Sequence, residues 1–221
     1  MPSKRFLRID FHIHSNFSMD SDLSPEDIIK YAKSAGLDAI AVTDHNSIEG
    51  GKKTEKLAGR NLIVFAGSEI NTEDGEIIGL NLKRDVQPGL SIIETCNEIK
   101  RQAGFIIVPH PFDRFRRGIG NAMEKIMDYI DAVEVFNART LVGKFNKDSQ
   151  NFTEKHGLPF VAGSDAHFRQ EIGSAYVIVE SEKNKDAIMN AIKNGKAKVS
   201  GRKTGINPHW KTFVTKMGKR F

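Results

Sequence analysis

The sequence predicts an α/β fold in which a mostly parallel sheet closes into a barrel. Three observations lead there. Short strands, mostly apolar on both sides, alternate with amphipathic helices about seven times along 221 residues, which is the signature of a parallel sheet covered by helices. The polar exceptions fall at strand C-terminal ends: His14, Asp44 and His45, Glu69, His110, Asn137, Asp165 and His167. A parallel barrel gathers those ends on one face, where an open sheet would spread them along an edge.

The elements follow in order. Arg8 to His14 alternates strictly, with Ile9, Phe11 and Ile13 on one side of a strand and Asp10, His12 and His14 on the other. Ser24-Pro25-Glu26-Asp27 starts a helix with a capping serine, a proline in the first turn and acids behind it, and Gly36 closes it. Residues 39–43 read as the second strand, Ser47 to Ala58 as a helix, and Leu62 to Ala66 as a strand ending near Glu69. Glu76 to Leu82 is a strand after the Asp74-Gly75 turn, Leu90 to Ala103 a helix, and Phe105 to Val108 a buried strand stopped by Pro109. Ala122 to Tyr129, Ala132 to Phe136, a helix to about His156, and strand 160–162 complete the alternation. A last strand, Ala175 to Val179, and a last helix, Lys185 to Asn194, follow. The expected division is a barrel domain over 1–192 and a basic C-terminal extension over 193–221, packed on or trailing it.

Composition excludes several classes. There is no run of about 18 apolar residues, so no membrane span is expected. The first residues carry no apolar signal region, and the single cysteine, Cys96, sits in an apolar helical pattern as a buried thiol. Both fit a reducing cytoplasm. The net charge of +5 is uneven: residues 193–221 hold nine Lys/Arg and no acid, leaving the rest at −4. A basic tail can track nucleic acid but is more often a solvated end, which makes nucleic acid the minority partner.

Five of the seven histidines lie at the strand ends, namely His12, His14, His45, His110 and His167; His156 and His209 do not. Imidazole mixed with carboxylate is a ligand set for zinc, manganese or iron. Eight candidate ligands exceed one tetrahedral ion, so two or three divalent ions are expected. Asp20, Glu69, Asp165 and Glu76 would supply about −4 against +6 from three ions, and the surplus favours a bound anion such as phosphate. Serine and cysteine nucleophile motifs and a glycine-rich nucleotide loop are missing, so the nucleophile is expected to be water activated by metal, with no protein nucleophile.

The motifs His12-Ile13-His14, Thr43-Asp44-His45, Gly67-Ser68-Glu69-Ile70, Pro109-His110-Pro111 and Gly163-Ser164-Asp165-Ala166-His167 resemble, in order and spacing, the polymerase and histidinol phosphatase (PHP) domain. The resemblance covers about residues 6 to 180. It implies a distorted (β/α)7 barrel and a two- or three-metal phosphoesterase site. Its ligands would be His12, His14, Asp20, His45, Glu69, His110, Asp165 and His167, with Glu69 bridging and Asp44 orienting His45 from behind. Two positions depart from the family pattern. Glu76 stands where many members carry histidine, and it is read either as a ligand or as a plain strand residue. The acid after the first motif varies in spacing, and Asp20, in Ser18-Met19-Asp20, is preferred to Asp22. Asp10 is expected beneath the metals as a partner of their ligands.

Arg139 is the first candidate to clamp a phosphate, because guanidinium binds phosphate bidentately. Asn137 and Arg117 join it as substrate-binding candidates. Arg114, Arg116 and Arg117 form either a pocket rim or a solvated basic loop. His209 can serve as leaving-group acid only if the tail folds back over the site. The expected substrate is a small phosphorylated metabolite or nucleotide. The alternatives are a nucleic-acid-binding or nuclease module that uses the tail, and hydrolysis of amides or esters by the same metals.

Overall fold

The computed structural model describes residues 3–205 and Thr212. His209 and most of the basic tail lie outside the described residues. The elements are β1 (Arg5–Ile13), α1 (Pro25–Ser34), β2 (Ala39–His45), α2 (Glu49–Ala58), β3 (Ile63–Asn71), β4 (Glu76–Leu80), α3 (Ile92–Arg101) and β5 (Phe105–Val108). A 3-10 helix (Gly120–Tyr129) follows, then β6 (Ala132–Asn137), α4 (Gly143–His156), β7 (Phe160–Gly163), β8 (Ala175–Ser181), α5 (Lys185–Lys193) and β9 (Ala197–Gly201). Ser24 caps α1, its hydroxyl accepting from Asp27 N at 3.1 Å. Ser91 and Glu94 form a reciprocal capping box at the start of α3.

One sheet runs in the order β7-β6-β5-β4-β3-β2-β1-β8-β9. It is nearly closed into a barrel. The first and seventh strands meet through a parallel bridge between Ile13 and Ala166, with His14 N donating to Ala166 O at 2.9 Å and Asp165 N to His12 O at 2.7 Å. The sheet is mixed rather than uniformly parallel. β4 is antiparallel to both β3 and β5, because only four residues, 72–75, separate it from β3 and a link that short can only make a hairpin. β8 and β9 add an antiparallel ribbon on β1. β9 extends the sheet beyond residue 192. Its Lys198 and Ser200 and its half-exposed surface gave no apolar strand signal.

Leu7, Ile9 and Phe11 join residues from every other strand and from α5 in one core inside the curved sheet. Ile13 does not follow them, although strict alternation puts it on their side. It packs with Ile28 and Ala32 of α1. The cause is a register shift in the β1–β2 pairing between Asp10 and Ile13, and irregularities of this kind re-aim side chains near functional sites. A third core lies between α3, the 3-10 helix and the outer face of β4–β6, and it holds Cys96. Among the described residues no helix is long and apolar enough to cross a membrane.

Two outcomes follow from this packing. Phe11 is 1% exposed and stacks on Phe65 with ring centroids 5.9 Å apart. Phe11→Ala is therefore expected to cost about 3–5 kcal/mol in chemical denaturation. Burial pushes the Cys96 thiol up to about 12. A colorimetric thiol titration should accordingly find no reactive cysteine in the folded protein and one in denaturant.

Candidate metal centre

The register shift in β1 and the β1–β7 seam turn His12 and His14 toward Asp165 and His167. Asp10 braces this junction. Its Oδ1 accepts from His12 N at 3.3 Å and Ser164 N at 2.9 Å, and its Oδ2 from Gly173 N at 3.1 Å. Its carboxylate holds backbone, and these bonds are to main-chain amides rather than to the rings of the ligand histidines. At Gly163 a Cβ would stand 2.3 Å from His12 Cβ and 2.6 Å from Glu134 Oε1, so only glycine leaves room for the ring above it. His110 and Asp165 both have positive φ, +28° and +56°; such strained backbone tends to collect at functional sites.

The side chains converge tightly. His12 Nε2 and His14 Nε2 face each other at 3.0 Å, an arrangement that repels unless a proton or a cation lies between the lone pairs. Glu69 stands at the centre. Its Oε1 is 3.0 Å from His110 Nε2 and 3.4 Å from His12 Nε2, and its Oε2 is 3.2 Å from His45 Nδ1 and 3.4 Å from His14 Nε2. Asp20 spans His45 at 3.4 Å and His167 at 3.5 Å. Asp165 Oδ1 lies 3.4 Å from His14 Nε2 and 3.5 Å from His167 Nδ1.

Four groups of candidate ligand atoms each fall within 4.8 Å of one another: His14, His45 and His167; His12, His14 and Glu69; His12, His110 and Asp165; and His45, Glu69 and Glu76. Glu69 Oε2, Asp165 Oδ1 and His45 Nδ1 are buried with no hydrogen-bond partner among the described residues. Buried polar atoms in that state are costly, and each of these residues belongs to one of the groups that could hold a cation. The donor set fits such ions.

The outer ring nitrogens are held from behind. His12 Nδ1 lies 3.2 Å from Glu134 Oε1, and His14 Nδ1 3.2 Å from Ser18 Oγ. His167 Nδ1 lies 2.8 Å from the Asp165 carbonyl. These contacts set ring orientation and tautomer. Asp44 accepts from Ser15 N at 2.7 Å, Ser15 Oγ at 2.6 Å and Ser18 Oγ at 2.8 Å. Through Ser18, whose Oγ also accepts from His45 N at 3.1 Å and lies 3.2 Å from His14 Nδ1, it is linked to both His45 and His14. Sequence reasoning missed Glu134, whose other oxygen accepts from His110 N at 2.9 Å and Asn137 Nδ2 at 3.0 Å. A lone acid inside the apolar strand Ala132-Val133-Glu134-Val135 was the signal available.

Beside the cluster opens a cleft of about 270 Å³ lined by Asp20, His45, Glu76, Phe115, Arg116, Arg117, Arg139, His167 and Thr212. The three arginines differ. Arg116 pairs with Asp165 and donates to Asn137 Oδ1 at 3.0 Å, so it belongs to the site and not to a solvated loop. Arg139 is 3% exposed, lies 3.4 Å from Glu171 and donates to Thr212 Oγ1 at 2.6 Å. Arg117 donates to the Thr72 carbonyl at 2.8 Å. Asn137 does not line the cleft; it is fully buried, and its amide serves Glu134, Asp165, Arg116 and the Arg139 backbone. Glu171, also unread in the sequence, takes Oε2 bonds from His167 N at 2.9 Å and Phe168 N at 3.0 Å.

Crowding sets the protonation of the cluster. Burial opposes charge on His12, but Asp165, Glu69 and Glu134 outweigh it and hold its pKa well above the usual value. His45 is raised against burial by Asp20 and Glu69. His14 is lowered, by burial and then by His45, and His167 falls to about 3 through burial and Arg139. Glu69 and Asp165 are held low against burial, Glu69 chiefly by His12 and Asp165 chiefly by Arg116. Glu76 is pushed up to about 7 by burial and by Glu69.

Loading zinc or manganese at neutral pH must therefore displace protons from His12 and His45, while His14 and His167 have none to lose. A histidine with a raised pKa stabilises the metal-free fold fully below 6.5 and loses that contribution as pH rises through the raised value. The gap in Tm between metal-loaded and chelated protein should widen as pH is raised above that point, and calorimetry in two buffers should register proton release. A gap that narrows with pH would contradict this assignment.

A family model described as PHP-associated matches residues 143–197. An uncharacterised protein of Methanocaldococcus jannaschii, MJ1587, is 41% identical over 157 residues, which are 66% of this chain and 90% of that one. The fold matches a two-domain protein of Bacteroides vulgatus containing a predicted PHP-like metal-dependent phosphoesterase, with a TM-score of 0.74 at 18% identity, covering 96% of this chain and 70% of that one. It also matches PsfC of Pseudomonas syringae, with a TM-score of 0.65 at 17% identity and 98% of each chain covered. With these matches, a nearly closed barrel and histidines and acids gathered at its strand ends, the chain belongs to the polymerase and histidinol phosphatase family.

Proposed function

We propose that this chain is a metal-dependent hydrolase of phosphate esters. In this reading His12, His14, Asp20, His45, Glu69, His110, Asp165 and His167 hold two or three ions of zinc, manganese or iron. The observation that carries it is the cleft beside the cluster, which Arg116, Arg117 and Arg139 all line. A phosphate ester needs cations beyond the metals, and guanidinium matches its oxygens in geometry. Divalent ions held by these residues would supply Lewis acidity and activate water as the nucleophile near neutral pH.

The protein's own residues do the rest. Glu69, in reach of four imidazoles, would be the ligand shared among the histidines that hold the ions. Glu134 and Ser18 fix the rings of His12 and His14 before any substrate arrives. Arg116, anchored on Asp165 and Asn137, carries positive charge from the edge of the cluster to the substrate cleft. Arg139 is positioned by Glu171 and Thr212 rather than waving in solvent, so little side-chain freedom is lost on binding phosphate. Glu76, its carboxyl pushed up to about 7 by burial and by Glu69, is a ninth candidate ligand. The substrate is a small phosphorylated metabolite or nucleotide.

Purified protein with added manganese is expected to release inorganic phosphate from members of a phosphomonoester panel. His12→Ala should abolish the release, and Glu134→Gln should lower metal affinity or turnover about 10–100-fold. Undiminished turnover in His12→Ala would sink the site assignment. Cleavage of amide or carboxylic-ester panels with none of the phosphate esters would sink the substrate class.

A further inference from the structure

The cleft at the metal cluster shares a wall with another. Phe115 lines it, and Phe115 also lines a second cleft of about 420 Å³ together with Phe112, Arg114, Lys144, Phe145 and Asp148. The Phe115 ring is 78% exposed, yet the loop that presents it is pinned. Phe115 N donates to Asp113 Oδ1 at 3.1 Å, and the amides of Arg116 and Gly118 donate to Asp113 O at 3.2 and 3.1 Å. Glu76 N, at the tip of the β3–β4 hairpin, donates to Arg117 O at 3.1 Å. That hairpin approaches so closely that a Cβ at Gly75, where φ is +144°, would stand 2.4 Å from the same oxygen. A large apolar ring is thus held in water on fixed backbone.

We propose that this second cleft takes a planar aromatic ring on the organic part of the phosphate ester, while the phosphate lies against Arg116, Arg117 and Arg139. The proposal rests on the phosphoesterase reading and adds the substrate class. Continuity argues for it, since Phe115 is the partition and a ligand anchored by its phosphate passes directly over the ring. Shape argues for it as well. Phe115 and Phe145 stand with centroids 6.0 Å apart and planes at 57°, and Phe112 also lines the cleft, so a ring entering beside this pair finds aromatic side chains to pack against. A flexible aliphatic chain filling the same volume would lose rotamer freedom that a ring does not have. Charge agrees: Arg114 also lines the cleft, and Lys144 is paired with Asp148 at 2.6 Å, leaving the lining net positive for an anionic ligand.

The test uses two inert probes, phenylphosphonate and methylphosphonate, titrated calorimetrically into the manganese-loaded full chain. Neither has an ester bond, so turnover does not enter the measurement. The phenyl probe is expected to bind about tenfold more tightly. Phe115→Ala and Phe145→Ala should each bring that ratio toward unity, while Phe115→Trp should retain it. Equal affinity for the two probes in the unaltered protein, no binding of either, or a ratio unchanged in Phe115→Ala would overturn the proposal. Self-association that disappears in Phe115→Ala, with no phenyl preference, would also overturn it, by assigning the face to a second copy. If the phenyl preference stands but no phosphate ester is ever hydrolysed, the phosphoesterase reading fails and the aromatic cleft survives it.

Discussion

The whole site depends on one seam. β1 and the segment after β7 are joined by the His14–Ala166 and Asp165–His12 backbone hydrogen bonds, and the Asp10 carboxylate ties three amides across the same line. Without that closure, motifs more than 150 residues apart would sit on strands separated by the whole run from β2 to β6. With it, the first and last histidine motifs face each other across a few ångströms. Loop closure over so long a chain costs entropy that grows only slowly with length, and burial of the inner core on folding offsets it.

Closure brings an electrostatic problem. Five imidazoles and several carboxylates are packed together largely away from solvent, and the described residues do not satisfy all of them. Glu69 and Asp165 each keep a buried oxygen without a partner among the described residues, and two Nε2 atoms face each other. The surroundings are nonetheless well satisfied: Glu134, Ser18, Asp44 and Asn137 have their polar atoms engaged. Order in the outer groups combined with frustration at the centre is what a preorganised metal site requires, because the rings must already be aimed when the ion arrives.

The clefts are set by connections. The loop after β5 carries Phe115, Arg116 and Arg117 to the site, and it is held there by the tip of the β3–β4 hairpin. The loop after β6 carries Arg139. The barrel thus supplies the ligand cluster, while two loops and Thr212 shape what approaches it.

Much of this was legible in the chain. Alternation of strands and helices and the clustering of polar residues at strand ends determined the barrel and the five histidines, because both depend on local periodicity and on the rule that parallel strands share one face. The sequence also showed the start of α1, because the Ser24 cap acts on an amide only three positions away. Three features were decided only by the tertiary structure. The irregularity in β1 moved Ile13 to the α1 side, because register depends on the neighbouring strand and not on the strand's own pattern. β9 formed because β8 offered an open edge, not because its own residues demand a strand. The roles of Arg116, Glu134 and Asn137 came from their neighbours. Arg116 reads as one of three loop arginines until Asp165, nearly fifty residues later, is folded against it. An electrostatic partner that distant leaves no trace in local pattern, so only closure of the barrel assigns the pair.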